Sequence, residues 1–133
     1  MRHARGTFEI KRARQSMAHD VDGSRLARFS LDKNYHGELE ATAFGEMLAA
    51  GSTEQTSAGY VAVEEVRGTL AGRRGSFALQ HSGVMTRGEG SLLVSVVPDS
   101  GTDELLELSG TLDITVEAGK HQYDFAYILP DMR

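Results

Sequence analysis

Cysteine is absent from this chain, which excludes disulfides, thiolate nucleophiles and cysteine-ligated zinc. That absence fits a reducing compartment. Long apolar runs are missing as well: none approaches the ~18 residues of a membrane helix. The first residues, Met1 to Ile10, lack the apolar core of a signal peptide. A soluble, cytoplasmic protein is the expectation, with no membrane partner. Proline is scarce, with only Pro98 and Pro130, and helix signals are few. What the chain has instead is glycine, 15 of them in 133 residues. They are set at short intervals between segments rich in Val, Leu, Phe, Tyr and Thr. The length suits one domain with a single core, and the hydrophobic content of 40% is ordinary for a globular chain.

The net charge of −5 is unevenly spread. Arg2, Arg5, Lys11, Arg12 and Arg14 meet a single acid, Glu9, in the first segment, so the remainder is strongly acidic. A short basic strip can touch nucleic acid, but it also describes a solvated first strand, and the acidic body argues against a dedicated nucleic-acid binder. No nucleic-acid partner is expected.

Alternating polarity marks about eight strands. They are Gly6–Ala13, Arg25–Tyr35, Leu39–Leu48, Gly59–Leu70, Ser76–Met85, Gly90–Val97, Gly110–Glu117 and His121–Leu129. Ser100–Leu108 is the best helix candidate, with Thr102 able to cap and Asp103 and Glu104 in a first turn. Glu46–Ala50 has helix formers but follows a strand pattern, and Gln15–Ser24 and Gly51–Ser57 read as polar loops. A turn at His36-Gly37 would set Lys33 opposite Glu40 and Phe29 opposite Phe44. Residues 71–74 join the fourth and fifth strands in the same way. Sequential hairpins imply a meander, and closing it removes two sticky edges. The expected fold is therefore all-β: a closed antiparallel barrel of about eight strands, with at most one short helix. Such a barrel encloses either packed side chains or one small ligand.

Three segments carry a resemblance: Leu31–Leu48 (LDKNYHGELEATAFGEML), Gly59–Gly83 (GYVAVEEVRGTLAGRRGSFALQHSG) and Pro98–Leu112 (PDSGTDELLELSGTL). They resemble DUF3224, a bacterial family of uncharacterised proteins, over Gly6 to Pro130. The resemblance implies a barrel similar to allene oxide cyclase. The Gly101–Gly110 stretch also looks like the corresponding region of plant allene oxide cyclases and dirigent proteins, whose barrel cavity holds a hydrophobic small molecule. No specific catalytic motif of those enzymes is matched, so no reaction carries over, and fold alone does not supply one.

The candidate chemistry lies on the fourth and fifth strands. Tyr60, Ala62, Glu64, Val66, Gly68 and Leu70 share one face. An even-length loop puts Glu64 opposite His81, and a one-residue change puts it opposite Gln80 or Ser82. Glu64 and His81 could do acid–base work or form a structural pair. Glu46, on the face of Thr42 and Phe44, opposes Ala27 in the assumed register. If that face is internal, it is a buried carboxylate and candidate base; if external, a solvated acid. Lys33 and Glu40 read as a cross-strand ion pair. Tyr60, Phe77, Tyr123, Phe125 and Tyr127, with Gln80 nearby, would line a cavity or fill it. His3, His19, His36, His81 and His121 show no metal-binding spacing, and no phosphate loop or G-x-S-x-G is present. Neither metal nor cofactor is expected.

Three functions remain open on these grounds. The barrel could bind an apolar or amphipathic metabolite, or act as a cofactor-free cyclase, isomerase or lyase-type enzyme through Glu64, His81 or Glu46. It could also be a filled module acting through its surface. Self-association suits the architecture, although no residue pattern specifies the number of subunits.

Overall fold

The computed structural model describes residues 1–130. Eight strands run in order: β1 (Arg2–Gln15), β2 (Leu26–Gly37), β3 (Leu39–Ala50), β4 (Ala58–Leu70), β5 (Arg73–Thr86), β6 (Glu89–Val96), β7 (Ser109–Glu117) and β8 (Lys120–Ile128). Each pairs antiparallel with its sequence neighbour, and β8 returns to β1 from Phe8↔His121 to Arg2↔Tyr127, so the barrel is closed. Alternation drives this arrangement. Along β5, Gly75, Phe77, Leu79, His81 and Gly83 are buried while Arg74, Gln80, Ser82 and Val84 are exposed. Three hairpins turn on two residues, Ala71-Gly72, Arg87-Gly88 and Ala118-Gly119, each with φ positive at both positions. That is the turn whose twist matches the strands, and glycine second removes most of its steric cost.

One end of the barrel is closed and packed. The connection from β6 to β7 crosses it, burying Gly101, Leu105 and Leu108. It is stitched to β5 where β6 stops: the Val97 N–H donates to the Ala78 carbonyl at 2.9 Å and the Thr102 N–H to the Ser76 carbonyl at 2.9 Å. Above it, Phe77, Phe125 and Tyr127 pack ring against ring at 5.8 and 5.4 Å. The Tyr123 hydroxyl accepts from the Leu39 N–H at 3.0 Å and faces the carbonyls of His36 and Leu39, tying β8 to the β2–β3 turn. At the opposite end, buried apolar contacts reduce to Leu31, Met47 and Ala62 with Phe29, Ala49 and Tyr60 against them.

Two local expectations change. The Ser100–Leu108 helix is only a 3-10 turn, Asp103–Leu105, and Thr102 does not cap it. Instead the Thr102 hydroxyl accepts from the Ser76 N–H at 3.0 Å, because β5 needs a partner there. Glu46–Ala50 completes β3, consistent with its strand pattern. The β2–β3 register also differs by three residues. Lys33 opposes Ala43, Phe29 opposes Met47 and Glu46 opposes Ser30. The Glu40 carboxylate caps the longer turn by accepting from the Gly37 N–H at 3.1 Å, which moves the reversal past His36.

Candidate functional site

The odd register shift decides which β3 residues face inward. An odd slip turns every side chain over. Ala41, Ala43 and Met47 are therefore buried, while Phe44 and Glu46 point outward. Glu46 is not a buried base: it is solvated and holds Arg28 at 2.6 Å. Lys33 is likewise not a surface partner of Glu40. It points into the barrel and is only 5% exposed.

The β4–β5 hairpin differs from its simplest reading by two residues, an even slip that keeps the faces. Glu64 opposes Leu79, and His81 opposes Ala62. Both point inward, at 1% and 3% exposure, and meet diagonally: the His81 Nε2 lies 2.6 Å from the Glu64 Oε2. The same oxygen accepts from the Lys33 Nζ at 2.7 Å, and the Tyr35 hydroxyl donates to the other oxygen. Two strands, β2 and β5, thus deliver three donors to one carboxylate on β4. Glycine makes room for it: Gly45 is the β3 residue opposite Glu64, and a Cβ there would overlap the Val63–Glu64 backbone.

Burial pushes the Glu64 carboxyl up, but the His81 hydrogen bond, the Lys33 and His81 charges and the Lys33 hydrogen bond together hold it below its ordinary value. Burial, then the charge and hydrogen bond of Glu64, push the Tyr35 phenol well above its usual range, so Tyr35 acts as a donor. Among the described residues no buried side-chain nitrogen or oxygen lacks a hydrogen-bond partner. Each buried polar atom of the cluster thus has at least one partner.

Above this cluster the open half of the barrel holds a cavity of about 590 Å³. Lys33 and His81 form its polar floor; Glu64 and Tyr35 lie behind them and do not line it. Aliphatic and small residues make most of the wall, including Leu31, Met47, Ala62, Leu92, Ile114 and Val116. Arg12 and His121 also face it. Tyr60 stands near the mouth with its ring over Gly83, its cross-strand partner, where a Cβ would collide with the ring. The seam between β6 and β7 has a single ladder pair, Ser95↔Thr111, and residues of both strands beyond it line the cavity.

Of the aromatic residues expected at a ligand, only Tyr60 lines this cavity. Phe77, Tyr123, Phe125 and Tyr127 belong to the packed end, below the Glu64 cluster, and Gln80 points outward because it alternates with Leu79 and His81. The filled and open alternatives are both realised, one in each half. Sequence reasoning missed Lys33 and Tyr35 as partners of Glu64. Their signal was available in the alternation of Leu31, Lys33 and Tyr35, which puts a lysine on an otherwise apolar face. No group of three or more His, Cys, Asp or Glu side chains among the described residues is placed to hold a metal.

A family model described as a protein of unknown function, DUF3224, matches residues 4–127. The chain belongs to the DUF3224 family. It is similar to a solved DUF3224 protein of unknown function from Shewanella oneidensis MR-1, with 46% sequence identity over 97% of both chains and a TM-score of 0.92. No curated protein matches.

Proposed function

We propose that this DUF3224 barrel binds a small amphipathic metabolite in its open half. The observation that carries the reading is the cavity of about 590 Å³, aliphatic on its walls and polar at its floor. Its size falls in the ordinary range for small-molecule sites, which are mostly apolar with a few fixed polar groups. The empty half of the barrel is what favours this reading over a filled module acting through its surface. Native mass spectrometry of freshly purified protein tests it. The expected result is a bound small molecule that organic extraction releases, and that an Ala62→Phe variant, with its cavity plugged, no longer carries. Wild-type protein that flies at its bare chain mass, with no adduct that the plugged variant lacks, would count against it.

A second reading, a cofactor-free isomerase, cyclase or lyase-type enzyme, is favoured by one feature. Glu64 fixes the His81 ring by its Nε2, which leaves Nδ1 as the nitrogen available to take a proton from a ligand. Lys33, on the same floor, would stabilise negative charge developing on that ligand. Release of a molecule isomeric with the one captured distinguishes catalysis from storage.

A further inference from the structure

The charges on the cavity wall are one-sided. The chain carries 19 acids against 14 lysines and arginines, yet among the described residues no carboxylate lines the cavity, whereas Arg12, Lys33, His81 and His121 all do. Glu64 stands behind the floor with both oxygens occupied, one by Tyr35 and the other by Lys33 and His81. The Lys33–Glu64 pair therefore directs its positive end at the cavity. Lys33 has three N–H donors; Glu64 takes one at 2.7 Å, and the Tyr35 hydroxyl is distant at 3.5 Å. A donor remains for a ligand. His81, held through Nε2, has its other ring nitrogen, Nδ1, free of Glu64 on the same floor. Arg12 is exposed and makes no ion pair among the described residues, its closest assigned partner being the Phe29 ring at 5.1 Å.

We propose that the ligand carries an anionic head, a carboxylate, which enters first and docks on Lys33, beside His81, at the cavity floor, with its apolar tail running past Leu31, Met47 and Ile114 toward the mouth. This rests on the reading of the barrel as a binding protein and deepens it by naming the charge and orientation of what is bound. In a floor this dry, a charge-assisted hydrogen bond is stronger than in water, and the surrounding wall offers a tail only dispersion and desolvation. Selectivity for the head is therefore expected to come from the floor, and affinity for the tail from the wall.

Three probes with one tail separate these contributions: decanoate, decanol and decylammonium, each titrated calorimetrically at neutral pH below its micelle concentration. Decanoate is expected to bind about tenfold or more tightly than the other two, the value of one charge-assisted hydrogen bond. A Lys33→Met/Glu64→Gln double variant, which leaves no unpaired charge in the core, is expected to lose that preference and keep its affinity for decanol. Decanoate and decanol binding equally would overturn the anionic head while leaving the binding barrel intact, and tighter decylammonium binding would reverse its sign. An anion preference that survives the double variant would remove the head from Lys33. If none of the three probes binds, the binding reading itself fails.

Discussion

Glu64 is one carboxylate serving three donors, and its burial makes it costly to disturb. Removing one partner of a buried ion pair typically costs about 3–5 kcal/mol, because the remaining charge is stranded. Glu64→Gln leaves the Lys33 ammonium without its counter-charge in a nearly dry site, so a loss of this order is expected in urea denaturation at neutral pH. The pH dependence has a definite sign. The folded-state value of Glu64 is held below its ordinary 4.5, so its stabilisation is complete above about 4.5 and is lost as the pH falls through the folded-state value. Wild-type stability is expected to decline on acidification through that window, with a smaller decline in the Glu64→Gln variant. Superimposable pH profiles for the two proteins would dismiss Glu64 as the titrating group.

At the level of elements, the seven inter-strand seams other than β6–β7 carry extended ladders, and β6–β7 carries one pair. Backbone groups facing that seam above Ser95↔Thr111 have no ladder partner assigned, and the same strands border the cavity. Local opening follows where few buried contacts and few hydrogen bonds hold an edge. Seam-facing amides of residues 90–94 and 113–117 are expected to exchange with deuterium well before those between β3 and β4. Equal protection across both seams in hydrogen-exchange mass spectrometry would refute a weak β6–β7 edge.

For the whole molecule, packing runs as a gradient from a full end to an empty one. Phe125, fully buried between Phe77 and Tyr127, stands in the full end; Met47 stands on the cavity wall. Truncating a close-packed aromatic removes transfer energy and opens a new void, about 3–5 kcal/mol in all. Truncating a side chain that already borders empty space removes contacts on one side only. Phe125→Ala is therefore expected to lower stability by more than twice as much as Met47→Ala, as read from denaturant midpoints at a common slope. Comparable losses would mean that the open half is packed in solution. The gradient also separates roles: the full end supports the fold, which leaves the other end free to hold something.

The closed meander was legible in the chain because alternation and glycine turns are local signals, and sequential hairpins leave few other ways to satisfy strand edges. Glu64 and His81 were legible as a pair on one face, though not as facing inward: the β4–β5 turn differs from the expected one by two residues, and an even slip preserves the faces. Glu46 was not, because the β2–β3 turn differs by three, and an odd slip exchanges inside for outside along all of β3. The division of aromatic residues between a packed end and the cavity depends on strand tilt and on the β6–β7 connection crossing one end of the barrel. Both are set by contacts between residues distant in sequence. Local polarity thus determined that a barrel forms, while the registers and the crossing connection decided where it is hollow and which charges look into the hollow.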